Sequence, residues 1–229
     1  MEIILQGVVG SIAYGLATPN SDIDRLGIFV ATTDSILSLN KPNDSFVKTT
    51  PDITLHEIEK YMRLAINCNP TVLELLFLDK YEIITQEGQL LLNDRRLFLS
   101  NTVFNSYGGY AIAQAKKLQK RATEDSQLDT LLKDVDRGFS AKTSSRAVKH
   151  AKHCFRLLQQ GKELLETGEL CVKVNNPENF SSFGDMTIKE VLNKFENKYS
   201  EFKNSKNTLP DNCEYDKINK LLLKIRKNH

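Results

Sequence analysis

The chain has 229 residues, of which 40% are hydrophobic and 26% charged, and its formal net charge is +2. This composition is typical of a soluble globular protein. No run of 18 apolar residues is present, and the first residues lack the basic segment and apolar stretch of a signal peptide, so we expect neither a membrane partner nor export. The four cysteines have no paired C-x-x-C spacing, which favours a reduced, cytoplasmic protein.

The charge is distributed unevenly along the chain. Residues 1–100 contain 8 Lys and Arg against 13 Asp and Glu, whereas residues 101–229 contain 23 against 16. An acidic first part suits cation binding, and a basic second part suits a polyanion such as nucleic acid. Solvated helix faces give the same imbalance, so charge alone leaves both interpretations open.

Apolar patterning predicts a small sheet in the first part of the chain. The predicted strands are residues 2–9, 22–30, 52–56 and 81–85. A loop is expected over residues 10–20, and a helix follows the third strand over residues 57–67. Asn69 and Pro70 then provide the N-cap and the first position of another helix.

From about residue 86 the spacing of apolar residues is mostly helical. The predicted helices are residues 87–99, 102–121, 143–167, 187–203 and 213–227. Residues 123–138 are a polar connection or a short helix, and residues 170–174 form a small strand. We therefore predict an α/β (α+β) fold with a small mixed-sheet domain over residues 1–100 and a mostly helical domain over residues 101–229.

Two aspartates stand one residue apart at the start of the second predicted strand. Residues i and i+2 of a strand share a face, so Asp22 and Asp24 project together while Ile23 turns into the core. Without a cation, the two carboxylates would raise each other's pKa. Hard oxygen ligands of this kind suit Mg²⁺, and two ions about 3.5–4 Å apart can hold the attacking and leaving oxygens of a phosphoryl transfer.

A two-metal site usually has a third acidic ligand, for which the sequence offers two candidates. We favour Asp52, which opens the third predicted strand and could also help to deprotonate an acceptor hydroxyl. Glu57, where this strand meets the following helix, is the alternative. The S-D-I-D segment could instead be a turn in which Ser21 or Asp22 caps local backbone amides.

Three stretches together resemble a known family. Gly10-Ser11, a loop and S-D-I-D before an apolar strand are similar to the nucleotidyltransferases of the DNA polymerase β superfamily. The stretches that resemble its RNA-repair-associated branch are GSIAYGLATPNSDIDRLGIFV (10–30), DITLHEIEKYMRLAINCNPTVLELLF (52–77) and KHAKHCFRLLQQGKELLETGEL (149–170).

The resemblance implies roles for particular residues. Asp22, Asp24 and Asp52 would bind two Mg²⁺ ions, or Mn²⁺ as a substitute, and carry the catalysis. Gly10, Ser11, Tyr14 and Ser21 would contribute to nucleotide binding, with Tyr14 either stacking on a base or packing the loop. The first domain would be catalytic, and the helical domain would bind substrate or nucleotide.

The implied reaction moves a nucleoside monophosphate from an NTP to a hydroxyl and releases pyrophosphate. We expect the acceptor to be an RNA 3′ end, extended without a template. A protein or small-molecule hydroxyl is the first alternative. A non-catalytic nucleotide- or RNA-binding module is the second.

A basic stretch in the second half of the chain has helical spacing. Lys149, His153 and Arg156 stand at i, i+4 and i+7, on one helical face, and would contact the triphosphate or an RNA backbone. A solvated helix face is the alternative. His150, His153 and Cys154 lack a fourth ligand nearby, so we expect no zinc site.

Overall fold

The computed structural model describes residues 2–39, 41–132 and 145–229, with side chains except over residues 121–132 and at residue 145. Its five-stranded sheet has the order β3-β4-β2-β1-β5. The strands are β1 (Glu2–Val9), β2 (Asp24–Val30), β3 (Ser45–Thr49), β4 (Asp52–Glu57) and β5 (Ile83–Ile84). β2 and β4 run parallel and the other neighbouring pairs antiparallel, which confirms the predicted mixed sheet.

Helices account for most of the described residues outside the sheet. The helices are α1 (Gly10–Ala13), α2 (Thr33–Leu37), α3 (Ile58–Ile66), α4 (Pro70–Leu76), α5 (Gln86–Asn93), α6 (Thr102–Leu132), α7 (Ser145–Thr167), α8 (Glu178–Ser181), α9 (Ile188–Lys203) and α10 (Tyr215–Arg226). Short 3₁₀ helices span Arg95–Phe98 and Ser182–Gly184. The predicted α+β fold with a helical second part is confirmed.

Local sequence explains where several helices begin. The Asn69 side chain accepts a hydrogen bond from the Thr71 amide at 3.1 Å, and Pro70 is the first residue of α4, as predicted. Thr187 and Glu190 form a capping box at the start of α9, which satisfies two amides that the helix itself leaves free.

One face of the sheet packs on the main hydrophobic core. Leu26 and Ile28 of β2 contribute to this core, which continues through the helices to Ile225 of α10. The other face carries a small separate cluster that includes Phe29 and Leu55. Because side chains alternate along a strand, each strand can supply both clusters.

Several predicted elements differ from the structure. β3 was not predicted. β2 begins at Asp24 rather than at residue 22, and Ile23, which we expected in the core, is 48% exposed because it precedes the strand. The strand predicted at residues 170–174 is wrong: this segment is irregular, although its alternate residues Leu170, Val172 and Val174 are buried.

The helical predictions hold with changed boundaries. α6 continues to Leu132, so the first part of the predicted polar connection is helical. The helix predicted over residues 87–99 is divided into α5 and a 3₁₀ turn. Residues 133–144, which contain the end of that connection and the first two residues of the helix predicted at 143–167, lie outside the described residues. No helix in the described ranges is long and apolar enough to cross a membrane.

Candidate active site

Two of the predicted carboxylates lie side by side at one edge of the sheet. β2 and β4 are parallel and pair with Arg25 opposite Ile53, so the preceding residues, Asp24 and Asp52, are neighbours at the beginning of the two strands. Register partners on adjacent parallel strands direct their side chains to the same face, and the strands lie about 4.8 Å apart. The topology thus brings together two aspartates that are 28 positions apart in the sequence.

Asp22 lies just before β2 and is exposed. The pKa of Asp24 is raised first by partial burial and then by the negative charges of Asp52 and Asp22. Three mutually repelling carboxylates are a donor set that suits a divalent cation. Within residues 2–39, 41–132 and 145–229, however, no three acidic, histidine or cysteine side chains converge closely enough to form a ready ligand group. The argument that these aspartates bind a divalent cation therefore rests on the chemistry of their carboxylate oxygens.

Glu57, the alternative third carboxylate, lies at the other end of β4. It pairs with Phe29 in the register with β2, far along the strand from Asp24. Its carboxylate is buried, accepts a hydrogen bond from the Glu59 amide at 2.7 Å, and is paired with Arg226 at 3.0 Å. Of the two candidates, only Asp52 lies beside Asp24.

Gly10 packs directly against Asp24. It follows β1, where Val9 pairs with Asp24, and it opens the single helical turn α1 with a φ of 69°. A Cβ at position 10 would overlap Asp24 Oδ2 and lie 3.3 Å from its Cγ. Both the left-handed backbone and the close approach require glycine here. The adjacent Ser11 is half-buried, and its carbonyl accepts a hydrogen bond from the Leu16 amide at 2.9 Å.

Ser21 shapes the turn that leads into the aspartates. Its hydroxyl accepts a hydrogen bond from the Thr18 amide at 2.8 Å, and its own amide donates to the Thr18 carbonyl at 2.9 Å. This is the turn considered for the S-D-I-D segment, and it coexists with the carboxylate cluster rather than replacing it.

Tyr14 is buried beneath the loop. Its hydroxyl donates a hydrogen bond to Glu74 Oε2 at 2.5 Å, and the Arg156 guanidinium carbon lies 4.0 Å from the centre of its ring. Burial raises the pKa of Tyr14 well above its usual value. Of the two roles considered for Tyr14, this geometry corresponds to packing the loop, because the ring is not open for stacking on a base.

Arg156 does not lie on the exposed helix surface that we expected. It is 4% exposed, and its Nη1 donates to Gln160 Oε1 at 2.6 Å while lying 3.7 Å from Glu74 Oε2. Its Nη2 lies 3.4 Å from His153 Nδ1. The physical reason is that this side of α7 packs against the core around Glu74. Arg156 is therefore buried and paired inside the protein, and it is not positioned to contact a phosphate directly.

Lys149, in contrast, is exposed on α7, and His153 is accessible to solvent although its Nδ1 lies in a part-buried contact with Arg156. The positive charge of Lys149 lowers the pKa of Asp24, which places this lysine near the carboxylates. Desolvation lowers the pKa of His153 to about 4, with further contributions from Arg156, His150, Lys117 and Lys149. His153 is thus a neutral imidazole at pH 7, within a cationic surface that attracts anions.

Two residues at this site were not predicted. Lys117 of α6 lies close enough to His153 to help lower its pKa, and it extends the cationic surface. Glu74 is 1% exposed and contacts both Tyr14 and Arg156. The sequence feature that could have identified Glu74 is its position as the single carboxylate in the otherwise apolar run VLELLF.

Comparison with known proteins supplies three findings. A family model described as RlaP, RNA repair pathway DNA polymerase beta family, matches residues 1–193. An uncharacterized 38.9 kDa protein in the nrdC-mobD intergenic region of Enterobacteria phage T4 is 28% identical over 149 residues, which cover 59% of this chain and 44% of that protein. The chain thus matches less than half the length of this relative.

A solved structure is also similar. The crystal structure of a nucleotidyltransferase-like protein from Exiguobacterium sibiricum 255-15 aligns with all of this chain and 75% of its own, at 12% sequence identity and a TM-score of 0.36.

Proposed function

This chain belongs to the RNA repair pathway DNA polymerase β family, and on this premise we propose that it is a metal-dependent nucleotidyltransferase. In the proposed reaction an acceptor hydroxyl oxygen attacks the α-phosphorus of an NTP. The bond from this phosphorus to the bridging oxygen breaks, pyrophosphate leaves, and the hydroxyl proton passes to a base. The observation that carries the proposal is the pairing of Asp24 with Asp52 on parallel strands, with Gly10 packed against Asp24.

The three aspartates would hold the metal. Asp22, Asp24 and Asp52 are the residues proposed to bind two Mg²⁺ ions, or Mn²⁺ in their place. When bound, these ions neutralise the charge that develops on the phosphoryl oxygens. Asp52 is exposed, so its carboxylate is also the proposed acceptor of the hydroxyl proton.

The triphosphate would lie between the first loop and α7. Backbone amides at Gly10 and Ser11 are proposed to donate to phosphate oxygens, with the Ser11 hydroxyl beside them. Lys149 supplies a positive charge close to Asp24, Lys117 adds a second charge, and the neutral His153 ring lies beside them. Positioning and charge of this kind supply most of the catalysis that a protein contributes to phosphoryl transfer.

The proposed acceptor is an RNA 3′ end, extended without a template. The family description and the basic second half of the chain, with 23 Lys and Arg against 16 Asp and Glu, support this choice. A transfer assay with each α-labelled NTP, Mg²⁺ and a panel of RNA, DNA, protein and aminoglycoside acceptors tests it. We expect label on RNA, transfer that weakens steeply with added salt, and no transfer by Asp22→Ala/Asp24→Ala. Label on protein or on a small molecule would overturn the RNA acceptor and leave the transferase proposal standing.

A further inference from the structure

Glu74 is an unusual residue for the inside of a protein. It lies in α4, whose neighbouring residues are apolar, and only 1% of it is exposed. A buried carboxylate costs free energy unless nearby groups compensate it, and replacement by a hydrophobic residue is often neutral or stabilising. Burial raises the pKa of Glu74 to about 7. Stability alone therefore does not account for a carboxylate at this position.

The partners of Glu74 come from two separate parts of the site. Tyr14, in the loop that follows α1, donates its hydroxyl to Glu74 Oε2, and the nearby Gly10 amide helps to lower the pKa of the same carboxyl group. Arg156 of α7 lies 3.7 Å away on the other side. Glu74 thus stands between the proposed triphosphate loop and the helix that carries Lys149.

Further hydrogen bonds close this arrangement into a ring. Gln160 accepts from Arg156 and donates to the Val172 carbonyl at 2.9 Å. The Val174 amide in turn donates to the Tyr14 carbonyl at 3.1 Å, which returns the connection to the loop. The loop is therefore held at Tyr14 in two ways, through the hydroxyl of the side chain and through the backbone carbonyl.

We propose that Glu74 is a positioning residue that fixes the Gly10–Tyr14 segment relative to α7, so that the proposed phosphate-binding amides and Lys149 face each other before any substrate binds. Lys149 lies seven residues before Arg156, about 10 Å along the same helix. Anchoring Arg156 to Glu74 therefore sets where Lys149 projects. A loop held in its binding conformation loses less entropy when the ligand arrives.

This inference rests on the proposed function for its effect on NTP binding, but its structural part can be tested independently. Tyr14→Phe removes one hydroxyl and its hydrogen bond to Glu74. Tyr107→Phe is a matched control, because Tyr107 is fully buried near Glu74 and Arg156 but its hydroxyl has no hydrogen-bond partner among the described residues, so its removal breaks no bond of the ring. Glu74→Gln removes the charge while nearly preserving the shape.

The first measurement is the dissociation constant of each labelled NTP in the presence of Mg²⁺, with the melting temperature measured alongside. We expect Tyr14→Phe and Glu74→Gln to weaken NTP binding about threefold to tenfold, the effect of losing one oriented contact, while the KM for the RNA acceptor stays unchanged. Tyr107→Phe should bind NTP as the wild type does. Unchanged NTP affinity in Tyr14→Phe and Glu74→Gln, or equal weakening in Tyr107→Phe, would overturn the positioning role.

The second measurement does not depend on nucleotide binding. Hydrogen exchange of the backbone amides of residues 10–16 should become faster in Tyr14→Phe and Glu74→Gln and remain unchanged in Tyr107→Phe. Identical exchange in all four proteins would refute the positioning role. If the wild type bound no NTP although the exchange changed as expected, the proposed function would fail and the positioning of the loop would stand.

Discussion

Replacing Gly10 by alanine should lower the catalytic rate much more than it lowers the stability of the protein. At a φ of 69° a residue with a Cβ costs about 1–2 kcal/mol. For a chain of this length, each kcal/mol lowers the melting temperature by about 2–4 °C, so we expect a fall of roughly 2–8 °C. The new Cβ would also overlap Asp24 Oδ2, so the carboxylate must move. Because a displacement of about 1 Å at a reacting centre can cost about 100-fold in rate, we expect kcat to fall by at least that factor.

Gly15→Ala provides the matched control for this experiment. Gly15 has a φ of 71°, so alanine meets the same backbone strain, but its Cβ would contact only the flexible Lys173 side chain, with Cε at 3.3 Å. Melting curves and label transfer would be measured for both variants and the wild type. We expect both to lose similar stability and only Gly10→Ala to lose turnover. Equal kcat in the two variants would refute the placement of Gly10 against a catalytic Asp24.

Three further predictions concern charges. Arg226→Ala leaves the buried Glu57 carboxylate unpaired and should lower the free energy of unfolding by about 3–5 kcal/mol in urea titrations; a loss below about 1 kcal/mol would contradict this. Lys149→Gln removes a positive charge close to Asp24 and should raise the KM for NTP about tenfold or more, whereas an unchanged KM would exclude a phosphate contact. The His153 pKa falls from 6.5 to about 4 on folding, so between these values the unfolded chain binds a proton that the folded chain does not. The contribution of His153 to the free energy of unfolding is therefore fully present above pH 6.5 and is lost as the pH falls towards 4. Between pH 7 and pH 5, the free energy of unfolding should fall less in His153→Gln than in the wild type.

The parts of the fold that alternate between core and solvent could be predicted from the sequence. β4 alternates in this way, whereas β1 was predicted from a short run of aliphatic residues and is buried at consecutive positions on both faces. β3 was missed because it is an edge strand with little burial: Val47 is 70% exposed and Phe46 41%. Such a strand is defined by its hydrogen bonds to β4, which no local pattern of hydrophobic residues reveals.

The carboxylate pair could be anticipated, but its partners could not. The i, i+2 spacing drew attention to Asp22 and Asp24, although the strand begins only at Asp24 and leaves Ile23 exposed. The helical spacing of Lys149 and Arg156 was correct. Which of the two would be buried depended on Glu74, which is 82 residues away from Arg156 in the sequence. Contacts of that range are created by the tertiary fold.

The claim that Asp22, Asp24 and Asp52 form one metal-dependent centre is tested most directly by a Mn²⁺ titration followed by electron paramagnetic resonance. The titration would be carried out with wild-type protein, with Asp24→Asn and with Asp94→Asn, which changes an exposed aspartate outside the proposed site. After subtraction of the Mn²⁺ that NTP alone chelates, we expect the wild type and Asp94→Asn to bind Mn²⁺ equally in the presence of NTP and Asp24→Asn to lose most of this binding. Equal Mn²⁺ binding by all three proteins would contradict the account.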